Sequence, residues 1–338
     1  MLGETLLKAY LDANILLAFA IILWLLVLVV VSKTDMKRAY SSHLWLLNGV
    51  IISLAFSPVL IYFLSGWSAR YSLNLTDIIV AQYLEGNVEI SPSRLVAFLN
   101  IRENFVRDLI HLQSPAVKVL AVIFCLGFAG FSIRTMRNAL RLRNTLKNCR
   151  AWRRFGRKYI LLSDTALVPF STRSLSKHYI VIPTIMLDNS SDIKMAIGHE
   201  LQHFRQSDVE WAVLLELLTP LFFWNPLFYI WKRQVTHLRE FACDQNLLKR
   251  SGYDVRSYCE CLLRTCSRSL RGKGNFTVIS AAVAMVNVER VPSENKTSLL
   301  RSRIIAITSD KSSRLSKSTI ALIMLPLVLT VTFSAFLI

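Results

Sequence analysis

His199-Glu200-Leu201-Gln202-His203 is the stretch from which this chain is best read. On a helix, positions i and i+4 share one face, so both imidazoles can reach one Zn²⁺ while the glutamate between them points at the open side of the ion. Helical context is present. Asp188-Asn189-Ser190-Ser191-Asp192 offers several N-capping residues, and Ile193, Met195, Ala196, Ile197, Leu201 and Phe204 form an apolar stripe with no proline before Pro220. The pentapeptide therefore belongs on a helix of about four turns.

A hydrolytic zinc site takes a third protein ligand and keeps a fourth position for water. Arg239-Glu240-Phe241-Ala242-Cys243-Asp244 lies downstream, with Glu240 and Asp244 again at i and i+4. Glu240 can then ligate while Asp244 orients a ligand histidine from behind. His237 and Asp208 are rival third ligands. Glu200 is the expected general base, and His237, Tyr229 and Tyr253 are candidates for stabilising the oxyanion. A shell completed by Cys243 would be closed, and would instead suit a non-catalytic signalling scaffold with a structural zinc.

The rest of the sequence reads as a membrane protein. Of 338 residues 53% are hydrophobic; Ile15–Val31 is an unbroken apolar run, and Leu44–Leu64 and Ser318–Ile338 carry no charge. Val117–Ile133 is a weaker third span with Lys118 at its end, where the ammonium can reach the interface. Four transmembrane helices are expected. Ile15–Val31 lacks a basic leader and a small-residue cleavage site, and reads as an uncleaved anchor.

Charge sets the orientation. The loop Ser32–His43 carries Lys33, Lys37 and Arg38 against Asp35, and residues 134–317 hold 31 Lys+Arg against 14 Asp+Glu, a net of +17 out of +18. Residues 65–116 carry four Arg against five acids and suit the outer side. The zinc motif is expected on the cytoplasmic face of the membrane, with both termini outside. The densest basic stretch, Arg134–Lys158, directly follows a span and suits anionic lipid; no helix-turn-helix, zinc-finger or RNP pattern accompanies it, so direct nucleic-acid binding is not expected. Disulfides are not expected among the six cysteines, which fall in or inside the membrane.

Within the cytoplasmic part, Tyr159–Leu162 and Tyr179–Ile182 read as strands ahead of the motif helix. The second, with Ile180, Val181 and Ile182, is expected to present an edge on which a substrate adds as another strand. Residues 210–231 are apolar but broken by Glu216, Pro220 and Pro226, and read as two short helices against the membrane around a Trp224-Asn225-Pro226 turn. Residues 255–317 read as polar and irregular, and as a cleavable loop.

Ile180-Val181-Ile182-Pro183, Gly198-His199-Glu200-Leu201-Gln202-His203 with Asp208 and Trp211, Phe223-Trp224-Asn225-Pro226-Leu227 and the Glu240 hexapeptide together resemble the BlaR/MecR-type membrane zinc metallopeptidases, the beta-lactam sensor-transducer family. The resemblance implies an α-helical integral membrane protein with four transmembrane helices and a cytoplasmic α+β gluzincin-type zinc metalloprotease domain. It implies His199, His203 and Glu240 on zinc, Glu200 as base and Asp244 behind a histidine. It also implies cleavage of the protein itself or of a cytoplasmic transcriptional repressor. Two features depart from the family: Ser171-Thr172-Arg173-Ser174 replaces a glycine-containing turn, and the C-terminal penicillin-binding sensor domain is lacking, so the expectation is a truncated protein or one that takes its signal through residues 65–116 or a separate sensor subunit, with a homodimer among the expected partners. The expected organisation is residues 1–133 as a three-span membrane region with outer loop 65–116, residues 134–317 as the metallopeptidase domain with membrane-associated segment 210–231, and residues 318–338 as the fourth span.

Overall fold

The computed structural model describes residues 2–32, 38–50, 80, 83–85, 91–93, 96, 101–111, 114–174, 176–271, 283–284 and 293–309. Two long helices lie in its N-terminal part. Helix α1 (Leu2–Ser32) buries Leu16, Leu17, Ala20, Ile21 and Trp24 on one face and exposes Ile15, Phe19, Ile22, Leu26 and Val29 on the other. After α2 (Ile101–His111) comes α3 (Pro115–Lys147), capped by the Ser114 hydroxyl, which accepts from the Val117 amide at 3.2 Å. Among the described residues α3 is long and apolar enough to cross a membrane, with Val119, Val122, Ile123, Leu126 and Ile133 turned outward. It continues past Ile133 as one helix through Arg134–Lys147. The expected span at 318–338 and residues 51–64 of the expected second span lie outside the described residues.

A small mixed sheet follows: β1 (Arg150–Phe155), β2 (Lys158–Ser163), β3 (Phe170–Arg173), β4 (His178–Pro183) and the short β5 (Val283–Ala284), in the order β1-β2-β4-β3-β5. β4 runs parallel to β2 and antiparallel to β3. This corrects the expected edge strand. Ile180 is paired with Ile160 and Ser171, Val181 with Leu161 and Phe170, Ile182 with Leu162, and none of the three is exposed. An apolar run without polar alternation is buried on both faces, which is the signature of an interior strand. The accessible edge on that side belongs to β3, and β5 lies along it.

Helix α4 (Ser190–Arg205) packs against this sheet, starting at Asn189, whose side chain accepts from the Ser191 and Asp192 amides. Ser207, left-handed at φ 57°, turns the backbone into α5 (Asp208–Leu218). Helix α6 (Pro226–Ser251) begins at an Asn225 cap and ends at left-handed Gly252. The expected irregular stretch from Val255 is corrected: α7 (Val255–Arg271) and α8 (Ser293–Thr308) are regular helices. The buried face of α7 is built of Tyr258, Cys259, Cys261, Leu262, Thr265 and Cys266, one stripe of a strongly amphipathic helix whose other face is polar enough to hide it in the average hydropathy. Arg264 clamps α7 to α4 through Asp192, at 2.7 and 3.0 Å.

One core unites the sheet with α4, α7 and α8; a second joins Leu17, Ile21 and Trp24 of α1 to Leu215 of α5 and to Phe228, Trp231 and Val235 of α6. The turn between α5 and α6 is pinned to α1 by polar contacts as well. Tyr10 donates to the Leu221 carbonyl at 2.6 Å, the Trp224 indole donates to Tyr10, and Asn225 donates to Asn14 at 3.2 Å. Against α3, the ring of Phe223 takes the space that a side chain at Gly127 would need.

Candidate metal centre

α4 and α6 pack side by side, which brings the two halves of the sequence motif together. His199 Nε2 lies 3.1 Å from His203 Nε2 and 3.6 Å from Glu240 Oε2, while His203 Nε2 lies 3.8 Å from Glu240 Oε1. A tetrahedral ion with ligands at about 2.0–2.1 Å places neighbouring ligand atoms roughly 3.3 Å apart, so the two imidazoles and the Glu240 carboxylate, one oxygen toward each ring, are close enough to share one ion. All three side chains are buried, as is Glu200 between the histidines.

The other ring nitrogens are held from behind. His203 Nδ1 meets Asp208 Oδ2 at 2.7 Å, which the left-handed Ser207 makes accessible by folding α5 back on α4. Asp208 thus stands behind a histidine, not beside the ligand atoms as a third ligand would. His199 Nδ1 lies 2.8 Å from the Tyr258 hydroxyl, which donates to Asp244 at 2.7 Å. With its proton given to Asp244, that hydroxyl accepts from Nδ1–H, leaving Nε2 of His199 bare. Asp244 is itself 3.5 Å from Nδ1, so its influence on the ring runs through Tyr258. Tyr258 lies on the buried stripe of α7, in a stretch whose polar composition reads as irregular.

Electrostatics favour ligation by the neutral form of His199. Burial drives His199 down to about 3. Burial also acts to raise the Asp244 carboxyl, but the Arg303 guanidinium overrides it and holds Asp244 below the usual carboxylate range. Tyr258 is pushed well above 10 by burial and by Asp244, and stays a phenol.

Cys243 offers a different third donor, since His199, His203 and Cys243 have ligand atoms all within 4.8 Å. Its sulfur is nearer Nδ1 of His199 (3.5 Å) than Nε2 (3.9 Å), and it donates to the His199 carbonyl at 3.5 Å. Burial, with Asp244 and Glu240 nearby, pushes its thiol well above 9. The bare nitrogens face Glu240, so the two-imidazole, one-carboxylate set is the better fit. Of the candidate oxyanion groups, Tyr229 donates to the Phe223 carbonyl and Tyr253 to the Lys194 carbonyl, so both brace backbone elsewhere.

Two imidazoles a turn apart, a carboxylate from a neighbouring helix and a buried glutamate between the imidazoles define a metallopeptidase class of site. The family model described as BlaR1 peptidase M56 matches residues 8–325, and this chain belongs to that family. It is 32% identical over 111 residues to the methicillin resistance mecR1 proteins of Staphylococcus aureus, including strain Mu50 / ATCC 700699, and of Staphylococcus epidermidis. That match covers 32% of this chain and 19% of each relative. The family is one of membrane signal transducers with a protease-like domain that acts on proteins.

Proposed function

We propose that this protein is a membrane-embedded zinc endopeptidase that acts in transmembrane signalling by cleaving itself, a cytoplasmic repressor-like protein, or both. The observation that carries the reading is the convergence of two bare Nε2 atoms and the Glu240 carboxylate, with each ring braced from behind and Glu200 in the same helical turn. His199, His203 and Glu240 would hold the ion, and this donor set suits zinc. When bound, zinc would polarise the scissile carbonyl and acidify a water toward a pKa of about 7. Glu200 would accept the proton of the attacking water and pass it to the leaving amine. Asp208 and Tyr258 would fix the ring tautomers, and Asp244 would fix Tyr258.

Peptidase substrates commonly add as a strand to a sheet edge. β5 pairs antiparallel with β3, Ser171 opposite Val283 and Phe170 opposite Ala284, and it packs near α4. A segment of the protein itself thus lies where a substrate strand would add, which favours self-cleavage close to Val283–Ala284.

The membrane frame belongs to the same proposal. Four spans, the division at residues 133 and 317, a cytoplasmic zinc domain, the outer loop 65–116 and a membrane-associated segment 210–231 are supported by the Lys/Arg distribution and by the outward apolar face of α3. The docking of the 221–225 turn onto α1 supports the membrane association of that segment. Anionic lipid, a separate sensor subunit and a second copy of the protein are the proposed partners besides the protein substrate.

Cys243 favours one alternative, a structural zinc in a signalling scaffold. Metal content separates the readings. Glu240→Ala should lose most of its zinc while Cys243→Ala keeps it; the reverse pattern would move the ligand role to Cys243 and support the scaffold.

A further inference from the structure

Arg303 is a fully buried arginine on α8, 63 positions after Glu240 in the sequence. Its guanidinium reaches across to α6 as a fork. Nε donates to Asp244 Oδ2 and Nη2 to Asp244 Oδ1, both at 2.7 Å, while Nη1 lies 3.0 Å from Glu240 Oε2. A planar guanidinium held by two bonds to one carboxylate has little freedom left, so its third contact has a fixed direction.

That direction bears on how Glu240 can bind. A glutamate may coordinate through one oxygen or two; two would fill the position that a hydrolytic site keeps open. Resting on the metal-site reading above, we propose that Arg303 is a positioning residue that holds Oε2 of Glu240 and leaves Oε1 as the ligand, so that Glu240 binds through a single oxygen. Both oxygens face the imidazoles, Oε1 at 3.8 Å from His203 Nε2 and Oε2 at 3.6 Å from His199 Nε2, so the Arg303 contact is what distinguishes them. Asp244 then has two tasks: it anchors the fork, and through Tyr258 it orients His199. Since α8 carries Arg303, the placement of α8 against α6 sets the coordination number of the site, which links the helix that follows β5 with the ion's open position.

The test uses the full-length protein in detergent micelles with Co²⁺ as the probe, whose visible absorption is intense when four-coordinate and falls as coordination number rises. Arg303→Met alone leaves two buried carboxylates without their cation and can unfold the protein. The informative comparison is therefore Asp244→Asn against Arg303→Met with Asp244→Asn, since the pair differs only in the guanidinium. The double variant should show a loss of band intensity and a shift in band position, and Arg303→Lys with Asp244→Asn should recover intensity by returning a positive charge beside Oε2. Identical spectra for the single and double variants would overturn the role given to Arg303 while leaving the ligand set intact. Absence of any His199-dependent cobalt band in the wild type would remove the metal-site reading, and this inference with it.

Discussion

Replacing Tyr258 by Phe removes one oxygen from the interior and changes nothing else in volume. The consequences follow from three distances. His199 Nδ1 loses its partner at 2.8 Å, and its nearest substitutes are Asp244 Oδ1 and Cys243 Sγ, each at 3.5 Å. Asp244 would have to move inward to replace the lost bond, yet it is pinned by two 2.7 Å bonds to Arg303. The ring therefore loses both its tautomer preference and its rotational restraint. Losing such an outer partner costs about 10–100-fold in metal affinity, or roughly 1.4–2.7 kcal/mol, and the pinned Asp244 places this variant at the upper end. Competition between the purified protein and a zinc chelator at neutral pH measures this directly. A Tyr258→Phe variant that folds normally and binds zinc as tightly as wild type would refute the relay from Asp244 to His199.

Asp208→Ala should weaken zinc by a similar factor of about 10–100 through His203, while Asp208→Asn, which keeps an accepting oxygen, should lose less; equal losses in a chelator titration would mean that charge, not hydrogen bonding, is what matters. Asp192 gives a pH prediction. Burial acts to raise its carboxyl, and the hydrogen-bonded Arg264 guanidinium outweighs this, so that the net shift lies below its ordinary value of 3.8. The unfolded state then binds the proton more readily than the folded one, so the pair's stabilisation is complete above pH 3.8 and is lost as pH falls below it. Thermal melts should show Asp192→Asn less stable than wild type near neutrality and the gap narrowing below pH 3.8.

Much of the site was legible because helical spacing converts directly into geometry. His199, His203, Glu240 and Asp244 could be placed on faces by counting in fours, and Asn189 could be picked out with its neighbours as a cap. What supports these residues could not be read that way. Tyr258 and Arg303 arrive from α7 and α8: α7 is amphipathic, but the polar composition of 255–317 masks its stripe, and α8 buries Leu300 and Arg303 without a clear hydrophobic period. Asp208 looked like a rival ligand because sequence distance says nothing about the left-handed turn at Ser207, which points it at Nδ1. In the sheet, β1 was hidden by its arginines: Arg150–Phe155 reads as juxtamembrane charge but forms an outer strand, where charged side chains suit an exposed edge. β4 was recognised as a strand and assigned the wrong place, since its unbroken apolar run belonged to the sheet interior.

Glu200→Gln tests the central claim most directly. The substitution keeps size and leaves both imidazoles in place, but removes the carboxylate needed to take a proton. Full-length protein reconstituted in lipid vesicles, loaded with zinc and followed by mass spectrometry of its own fragments, should show self-cleavage in wild type. Glu200→Gln should slow it by about 10²–10⁴-fold with zinc content and melting temperature unchanged. Fragments appearing at the wild-type rate in a folded, zinc-loaded Glu200→Gln protein would contradict the assignment of Glu200 as base and the peptidase mechanism built on it.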